Sequence, residues 1–371
     1  MTTARHSAAA SPGVMAFCPA KLNLFFELLK RRSDGFHDVD TVMVAIDLFD
    51  ELHVRPIDED EILLDVEWLP SRSAVAGELG LDASSDAMLD IPVGRSNLVY
   101  RAIEMMSDRF RIRHGFRATL KKRIPSGAGM GGASSDAAMA LLCVASLCDL
   151  PSAGSPSRDP RVREIAEELG SDVPFFLGPD TTPMGGIRVP DERTDGCAKT
   201  VVQSHLEGEQ SNTGADVGAI AWATGRGECL RSVPLACGPL HFVIVYPATS
   251  LSTPLVFAES TVPDDPQSSE PLRNALSTLG VSQFGQFMAN RLSEPAKKIA
   301  PQIGEIHETM WQSGLKAVQL TGSGSASFAV LPTRDDAELA AKRLRAQFAP
   351  GARVMVATST SVPTTLIRQQ L

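Results

Sequence analysis

Pro125-Ser-Gly-Ala-Gly-Met-Gly-Gly-Ala-Ser-Ser135 is the stretch on which the fold turns. Its glycines are Gly127, Gly129, Gly131 and Gly132. Lacking a Cβ, they let the backbone approach a ligand closely and turn several N–H groups toward it. Upstream, residues 116–122 read as a strand. Downstream, residues 136–148 are almost uniformly apolar, the pattern of a buried helix. Strand, glycine loop and buried helix in succession suit an anion, because a helix N-terminus carries partial positive charge. Ser134 and Ser135 are expected to cap that helix and offer hydroxyls, while Lys121, Lys122 and Arg123 add local positive charge. A glycine cluster by itself is as readily a plain turn. The strand, the helix and the basic flank tilt the reading toward a phosphate site.

Several better-known phosphate loops are excluded. A P-loop ends in Gly-Lys-Ser/Thr, whereas Gly132 is followed by Ala-Ser-Ser. No early βαβ unit precedes the loop, as the dinucleotide fingerprint requires. His-Arg-Asp and Asp-Phe-Gly, which mark protein kinases, do not occur.

Around the loop, the chain of 371 residues is long enough for two domains. Hydrophobic residues make up 43% and charged residues 21%, so a sizeable core is available. The net charge of −9 argues against general nucleic-acid binding but leaves room for a local basic patch. No run approaches the roughly 18 apolar residues of a membrane span, and no signal-peptide pattern opens the chain. Six cysteines without a CxxC pair or a His/Cys cluster read as reduced thiols, hence a cytoplasmic protein.

Residues 1–13 read as a flexible tail. Residues 24–29, 39–46 and 52–55 read as separate strands, with a turn at 32–35 and a loop over 71–90. Asn97 caps a helix whose Leu98, Val99, Ala102, Ile103 and Met106 fall at helical spacing. Residues 161–169 form a short amphipathic helix closed by Gly170. Residues 179–218, rich in Gly, Thr, Asp and Ser, read as a flexible insertion. Beyond it come strands at 241–246, 317–320, 327–331 and 353–358, and helical patterns at 282–292, 295–313 and 335–347. The pattern predicts an α+β protein of two domains, an N-terminal one at 14–231 carrying the loop and a C-terminal one at 232–371.

The loop resembles the Pro-x-Gly-x-Gly-x-Gly-Gly-x-Ser-Ser segment of the galactokinase, homoserine kinase, mevalonate kinase and phosphomevalonate kinase (GHMP) superfamily. Further blocks narrow the resemblance: Pro19-Ala-Lys-Leu-Asn-Leu24, Arg32-Ser-Asp-Gly-Phe-His37, Ser171-Asp-Val-Pro-Phe-Phe176 and Leu320-Thr-Gly-Ser-Gly-Ser-Ala326. In this order they resemble the 4-diphosphocytidyl-2-C-methyl-D-erythritol kinase family. The resemblance implies a GHMP-kinase fold with its site in the cleft between the domains. It also implies transfer of the ATP γ-phosphate to the 2-hydroxyl of 4-diphosphocytidyl-2-C-methylerythritol, with Mg²⁺ accompanying ATP.

Roles follow from the resemblance residue by residue. Pro125, Ser126, Gly127, Ala128, Gly129, Met130, Gly131, Gly132, Ala133, Ser134 and Ser135 are implied to bind ATP. Asp172 is implied as general base and Lys21 as the cation beside it. Asn23, two residues along the strand from Lys21, is implied to hydrogen-bond the erythritol. Phe36 and His37 are implied to stack on and read the cytosine, with Phe257 covering its other face. Read without the resemblance, Asp172 is as well a turn or cap residue, Lys21 a surface charge, Phe36 a core residue and His37 a surface one. Phe36 stands where the family has Tyr, Ala128 and Ala133 where Gly is common, and Asp136 where Asn is frequent. No metal ligand can be named from spacing, although Ser135 is a possibility. The alternatives are another GHMP small-molecule kinase, of homoserine or mevalonate type, and a non-catalytic binding protein on the same fold. The partner expected is a small-molecule substrate rather than nucleic acid or membrane, and nothing in the sequence reveals an oligomeric state.

Overall fold

The computed structural model describes residues 13–150, 156–178, 220–362 and 366–369. The insertion at 179–218 and residues 1–12 of the expected tail lie outside the described residues, while Gly13 already opens the first strand.

The chain begins with a long antiparallel pair, β1 (Gly13–Arg31) and β2 (His37–Ile57), followed by β3 (Ile62–Trp68). Helices α1 (Arg72–Leu79) and α2 (Leu98–Phe110) lead to β4 (Gly115–Lys122), which pairs parallel to β3. Then come α3 (Gly132–Leu147), α4 (Pro160–Leu169), the single turn α5 (Val173–Phe176), β5 (Ile220–Thr224) and β6 (Cys229–Ser232). The C-terminal half runs β7 (His241–Pro247), α6 (Thr253–Ala258), α7 (Glu270–Thr278), α8 (Val281–Phe284), β8 (Ala289–Asn290), α9 (Ser293–Ile299) and α10 (Gln302–Gln312). It closes with β9 (Val318–Leu320), β10 (Ser327–Leu331), α11 (Arg334–Phe348), β11 (Ala352–Thr358) and β12 (Ile367–Gln369).

Two sheets result. The larger has the order β12-β1-β2-β4-β3, with β5 and β6 continuing from β2 and β8 pairing with β1. The smaller has the order β11-β7-β10-β9. The short strands β8 and β12 come late in the chain yet add to the first sheet, which ties the two halves together.

What positions the site is a change of face within β1. Val14, Ala16 and Cys18 bury against α2 and α3. Ala20, Leu22 and Leu24 instead join Val44, Ile46, Phe242, Ile244 and Phe328 in the core shared with the second sheet. Unbroken alternation would put all six on one face. The register shifts between Pro19 and Ala20, where proline has no N–H to give to the ladder. The shift turns Lys21 and Asn23 away from the second core and toward α3 and the glycine loop.

Several expectations need correcting. The strands expected at 39–46 and 52–55 are one, because β2 stays paired with β1 through Asp50 and Glu51. Residues 71–90 are not all loop: Ser71 caps α1, and Val75, Ala76 and Leu79 anchor it in the shared core. Helix 295–313 breaks into α9 and α10 before Pro301, which supplies no helical donor. The helical pattern at 282–292 gives only α8, after which Ala289 and Asn290 pair with Phe25 and Phe26.

Candidate active site

The glycine loop begins the site. Helix α3 starts at Gly132, four residues earlier than the apolar pattern suggested, and its N-cap is Gly131 in the left-handed region at φ 69°. Ser134 and Ser135 therefore lie inside the first turn and do not cap it; the Ser135 N–H donates to the Gly131 carbonyl. Gly127, Gly129 and Gly131 all have positive φ, whereas Ala128 and Ala133 do not, so an alanine costs nothing at those two positions. At Gly129 a Cβ would run into the Thr321 carbonyl oxygen, so glycine is required by a backbone–backbone approach as well as by φ. The loop is held from both sides. Lys21 N–H donates to the Met130 carbonyl at 2.9 Å, and Ser325 and Ala326 N–H donate to Gly127 and Ala128 at 3.2 and 3.1 Å.

The basic flank is not available to a ligand in the expected way. Lys122 is buried and donates to Asp50 and Asp136, while Asp50 also accepts from the Arg123 and Ile124 N–H groups. Arg123 pairs with Glu51 at 3.1 Å. Burial, opposed by Lys122 and reinforced by the Asp50 charge, lifts the Asp136 carboxyl to about 7. The same two carboxylates outweigh the burial of Lys122 and raise its ammonium above the ordinary range. This cluster pins the start of α3 to β2 and β4.

A cleft of about 920 Å³ opens in front of the loop. Its lining includes Pro125 to Ser134 of the loop, Lys21 and Asp172, and the aromatic group Phe36, His37 and Phe257. Lys21 Nζ lies 3.4 Å from Asp172 Oδ2, with Lys21 only 2% exposed and the Asp172 side chain 38% exposed. Asp172 precedes α5 but makes no capping hydrogen bond, so its carboxylate remains directed at the cleft. The two sequence-predicted residues, 151 positions apart, are thus brought together.

Asn23 and Ser135 are placed differently. Neither is part of the cleft wall. Asn23 is buried behind Lys21: its Oδ1 accepts from Lys21 Nζ and its Nδ2 donates to Thr41 Oγ1 at 2.9 Å. It was expected on the face of Lys21, and it is, but Thr41 and Thr321 close over it. Ser135 Oγ is buried beneath the loop and has no hydrogen-bond partner among the described residues.

In the aromatic group, the His37 and Phe257 rings lie 5.5 Å apart, and the half-exposed Phe36 also lines the cleft. Burial, aided by the Arg31 charge, lowers the His37 pKa, so its imidazole is neutral at pH 7 and offers both a donor and an acceptor. Sequence reasoning missed Arg226, which lines the cleft with its guanidinium 5.1 Å from the Phe36 ring centroid. The flanking Gly225 and Gly227 were the signal: both take positive φ to form the turn that presents it. It also missed Thr253 and Ser323, whose hydroxyls meet at 2.8 Å across the cleft.

Comparison with known proteins gives this cleft its relatives. The family models GHMP kinases N terminal domain and GHMP kinases C terminal match residues 97–178 and 272–350. A 4-diphosphocytidyl-2-C-methyl-D-erythritol kinase from Rhodopirellula baltica is 41% identical over 351 residues, 93% of this chain and 95% of that protein. One from Thermus thermophilus is 31% identical over 328 residues, 88% of this chain and 91% of that protein. A crystal structure of 4-(cytidine 5'-diphospho)-2C-methyl-D-erythritol kinase matches with a TM-score of 0.61 at 28% identity, covering 94% of this chain and all of that one. A homoserine kinase from Cytophaga hutchinsonii has the same TM-score, 0.61, at 15% identity, a likeness of fold alone. Fold, loop and sequence agree: this chain is a GHMP kinase and belongs to the 4-diphosphocytidyl-2-C-methyl-D-erythritol kinase family.

Proposed function

We infer that the chain transfers the γ-phosphoryl group of ATP to the 2-hydroxyl of 4-diphosphocytidyl-2-C-methyl-D-erythritol, a step of the non-mevalonate isoprenoid pathway. The observation that carries this reading is the Lys21–Asp172 pair, set 3.4 Å apart between a glycine loop on one side and an aromatic group on the other. One side suits a nucleotide triphosphate and the other a pyrimidine base, with a carboxylate between them.

The work divides among these parts. The loop N–H groups and the start of α3 receive the phosphates of ATP. Asp172 orients the attacking hydroxyl and accepts its proton, and Lys21 offsets the negative charge that gathers on the transferring group. Asn23 holds the Lys21 ammonium in place from behind, and the Thr321 hydroxyl donates to the same Asn23 oxygen. Phe36 and Phe257 contact the cytosine faces, and the neutral His37 hydrogen-bonds its edge. Phosphoryl transfer needs little beyond such positioning and charge stabilisation.

When bound with ATP, Mg²⁺ would supply neutralisation of the phosphate charge. Its preferred ligands are oxygens, several of them from phosphate and water. Among the described residues no group of three or more His, Cys, Asp or Glu side chains is arranged to hold a metal, which fits a cation carried by the nucleotide. Asp172 is the one carboxylate among the described residues of the cleft wall, and the hydroxyls of Ser126 and Ser134 lie on the glycine loop beside it. We divide the chain into a loop-bearing domain at 14–231 and a second domain at 232–371, with β8 and β12 returning to the first sheet. We assign the enzyme to the cytoplasm; among the described residues no helix is long and apolar enough to cross a membrane.

A coupled ADP-release assay over diphosphocytidyl-methylerythritol, methylerythritol phosphate, mevalonate and homoserine tests the reading. Turnover with the first alone is expected. Turnover with mevalonate or homoserine instead would assign a different acceptor.

A further inference from the structure

The reading above accounts for the base and for the reacting hydroxyl, but the substrate also carries a diphosphate between them. That anion needs a counter-charge midway along the cleft. The cations of the cleft wall are Lys21, Arg31, Lys122 and Arg226. Lys21 is engaged by Asp172 and Asn23, and Lys122 by Asp50 and Asp136. Arg31 sits at the base end, beside His37 in the β1–β2 register.

Arg226 is bracketed by the two ends. Gly225, just before it, accepts a hydrogen bond through its carbonyl from Val39 N–H at 2.8 Å, two residues beyond His37. Gly227, just after it, lies against Ser171: a Cβ there would stand 3.6 Å from the Ser171 carbonyl oxygen, next to Asp172. The turn therefore spans from the aromatic end to the carboxylate. Its guanidinium lies over the Phe36 ring at 5.1 Å from the centroid, a cation–π contact. Its Nε faces Glu228 Oε1 at 3.8 Å, its charge is also felt by Asp34 and Glu167, and among the described residues no hydrogen bond engages its two terminal nitrogens. A half-buried guanidinium with a stacked face and two unengaged amino groups is suited to bidentate recognition of phosphate oxygens.

We propose that Arg226 is a specificity-determining residue that binds the diphosphate linker of the cytidine substrate, a role that rests on the cytidine-linked acceptor inferred above. It sets the distance from the stacked base to Asp172 and selects a nucleoside diphosphate over a bare nucleoside.

The test measures binding of CDP and of cytidine by calorimetry, with a non-hydrolysable ATP analogue saturating the glycine loop, in the parent, Arg226→Gln and Arg226→Lys. The parent should bind CDP more tightly than cytidine. Arg226→Gln should lose about ten- to a hundredfold in CDP affinity, the scale of a charge-assisted hydrogen bond, with cytidine affinity nearly unchanged. Arg226→Lys should fall between, keeping the charge without the planar fork. Unaltered affinity for the ATP analogue shows that each variant is folded. An unchanged ratio of CDP to cytidine affinity in Arg226→Gln overturns the proposal. If both affinities fall together, Arg226 serves only to hold Phe36, and the proposal also fails. If the parent binds neither compound, the cytidine reading itself is wrong and this inference falls with it.

Discussion

Gly131→Ala is the substitution for which the structure yields the clearest magnitudes. Gly131 has φ 69°, a region that costs a residue with a Cβ roughly 1–2 kcal/mol. The added Cβ would stand 3.0 Å from both Lys21 Cγ and Phe176 Cζ, against 3.4–4 Å for ordinary contact. Phe176 is fully buried beneath α3 and has nowhere to go. The Lys21 stem is the flexible partner, so it yields by about half an ångström, which disturbs the 3.4 Å approach to Asp172. The total destabilisation is about 2 kcal/mol. For a chain of 371 residues the unfolding entropy is roughly 0.8 kcal/mol/K, so the melting temperature drops by only about 2–3 °C. A misplacement of about 1 Å can cost a hundredfold in rate, so half that displacement predicts a loss of about tenfold in kcat. Thermal unfolding and steady-state ADP release on the same preparation, both substrates saturating, separate the two effects. A variant that melts a few degrees lower yet keeps kcat within twofold of the parent would show that this contact does not position Lys21.

Asp172→Asn should reduce kcat by about 10²–10⁴ while ATP-analogue binding persists. Adding Lys21→Ala should make it little worse, because residues acting as a unit are non-additive; losses that multiply would mean the two act independently. Phe36→Ala should weaken the cytidine-linked substrate by about 1–3 kcal/mol, with ATP unaffected, since the half-exposed ring contributes little to folding; equal loss of both affinities would indicate a disturbed cleft. The carboxyl of Asp136, lifted to about 7 by burial, lets the folded Asp50–Lys122–Asp136 cluster hold a proton that the unfolded chain releases near pH 4. The folded state thus binds more protons in this window, and stability should fall as pH rises from about 4 to 7. Asp136→Asn should flatten that part of the profile of urea midpoint against pH, and an unchanged slope would place the proton elsewhere.

Much of the site was legible because it is written in short, local patterns. Four glycines between a strand and an apolar helix, with a basic flank, read locally as a candidate anion loop, and Pro19 to Leu24, Arg32 to His37 and Ser171 to Phe176 each read as a block. Asn97 as a helix cap, and the end of α4 at Gly170, likewise follow from residues within one turn of the boundary. Where the reading failed, the deciding contact was distant. Residues 71–90 look like polar loop until Val75, Ala76 and Leu79 find the shared core. Lys122 looks like a phosphate ligand until Asp50, 72 positions away, and Asp136 enclose it.

The sequence by itself determined the family, the glycine loop and the blocks that carry Lys21 and Asp172. Only the tertiary structure decided which of their side chains reach the cleft. Side chains alternate along a strand with a period of two, yet β1 changes face at the irregularity between Pro19, opposite Phe49, and Ala20, opposite Ile46, where the pairing skips Asp47 and Leu48 of β2. Pro19 marks the place, but the two residues that are skipped belong to β2 and are visible only in the pairing. The change of face directs Lys21 to Asp172 and places Asn23 behind Lys21, beneath Thr41 and Thr321. Arg226 reaches Phe36 for a similar reason: β5 pairs with β2, which carries the 225–228 turn over the start of that strand, and nothing local to Gly225-Arg226-Gly227 encodes that partner.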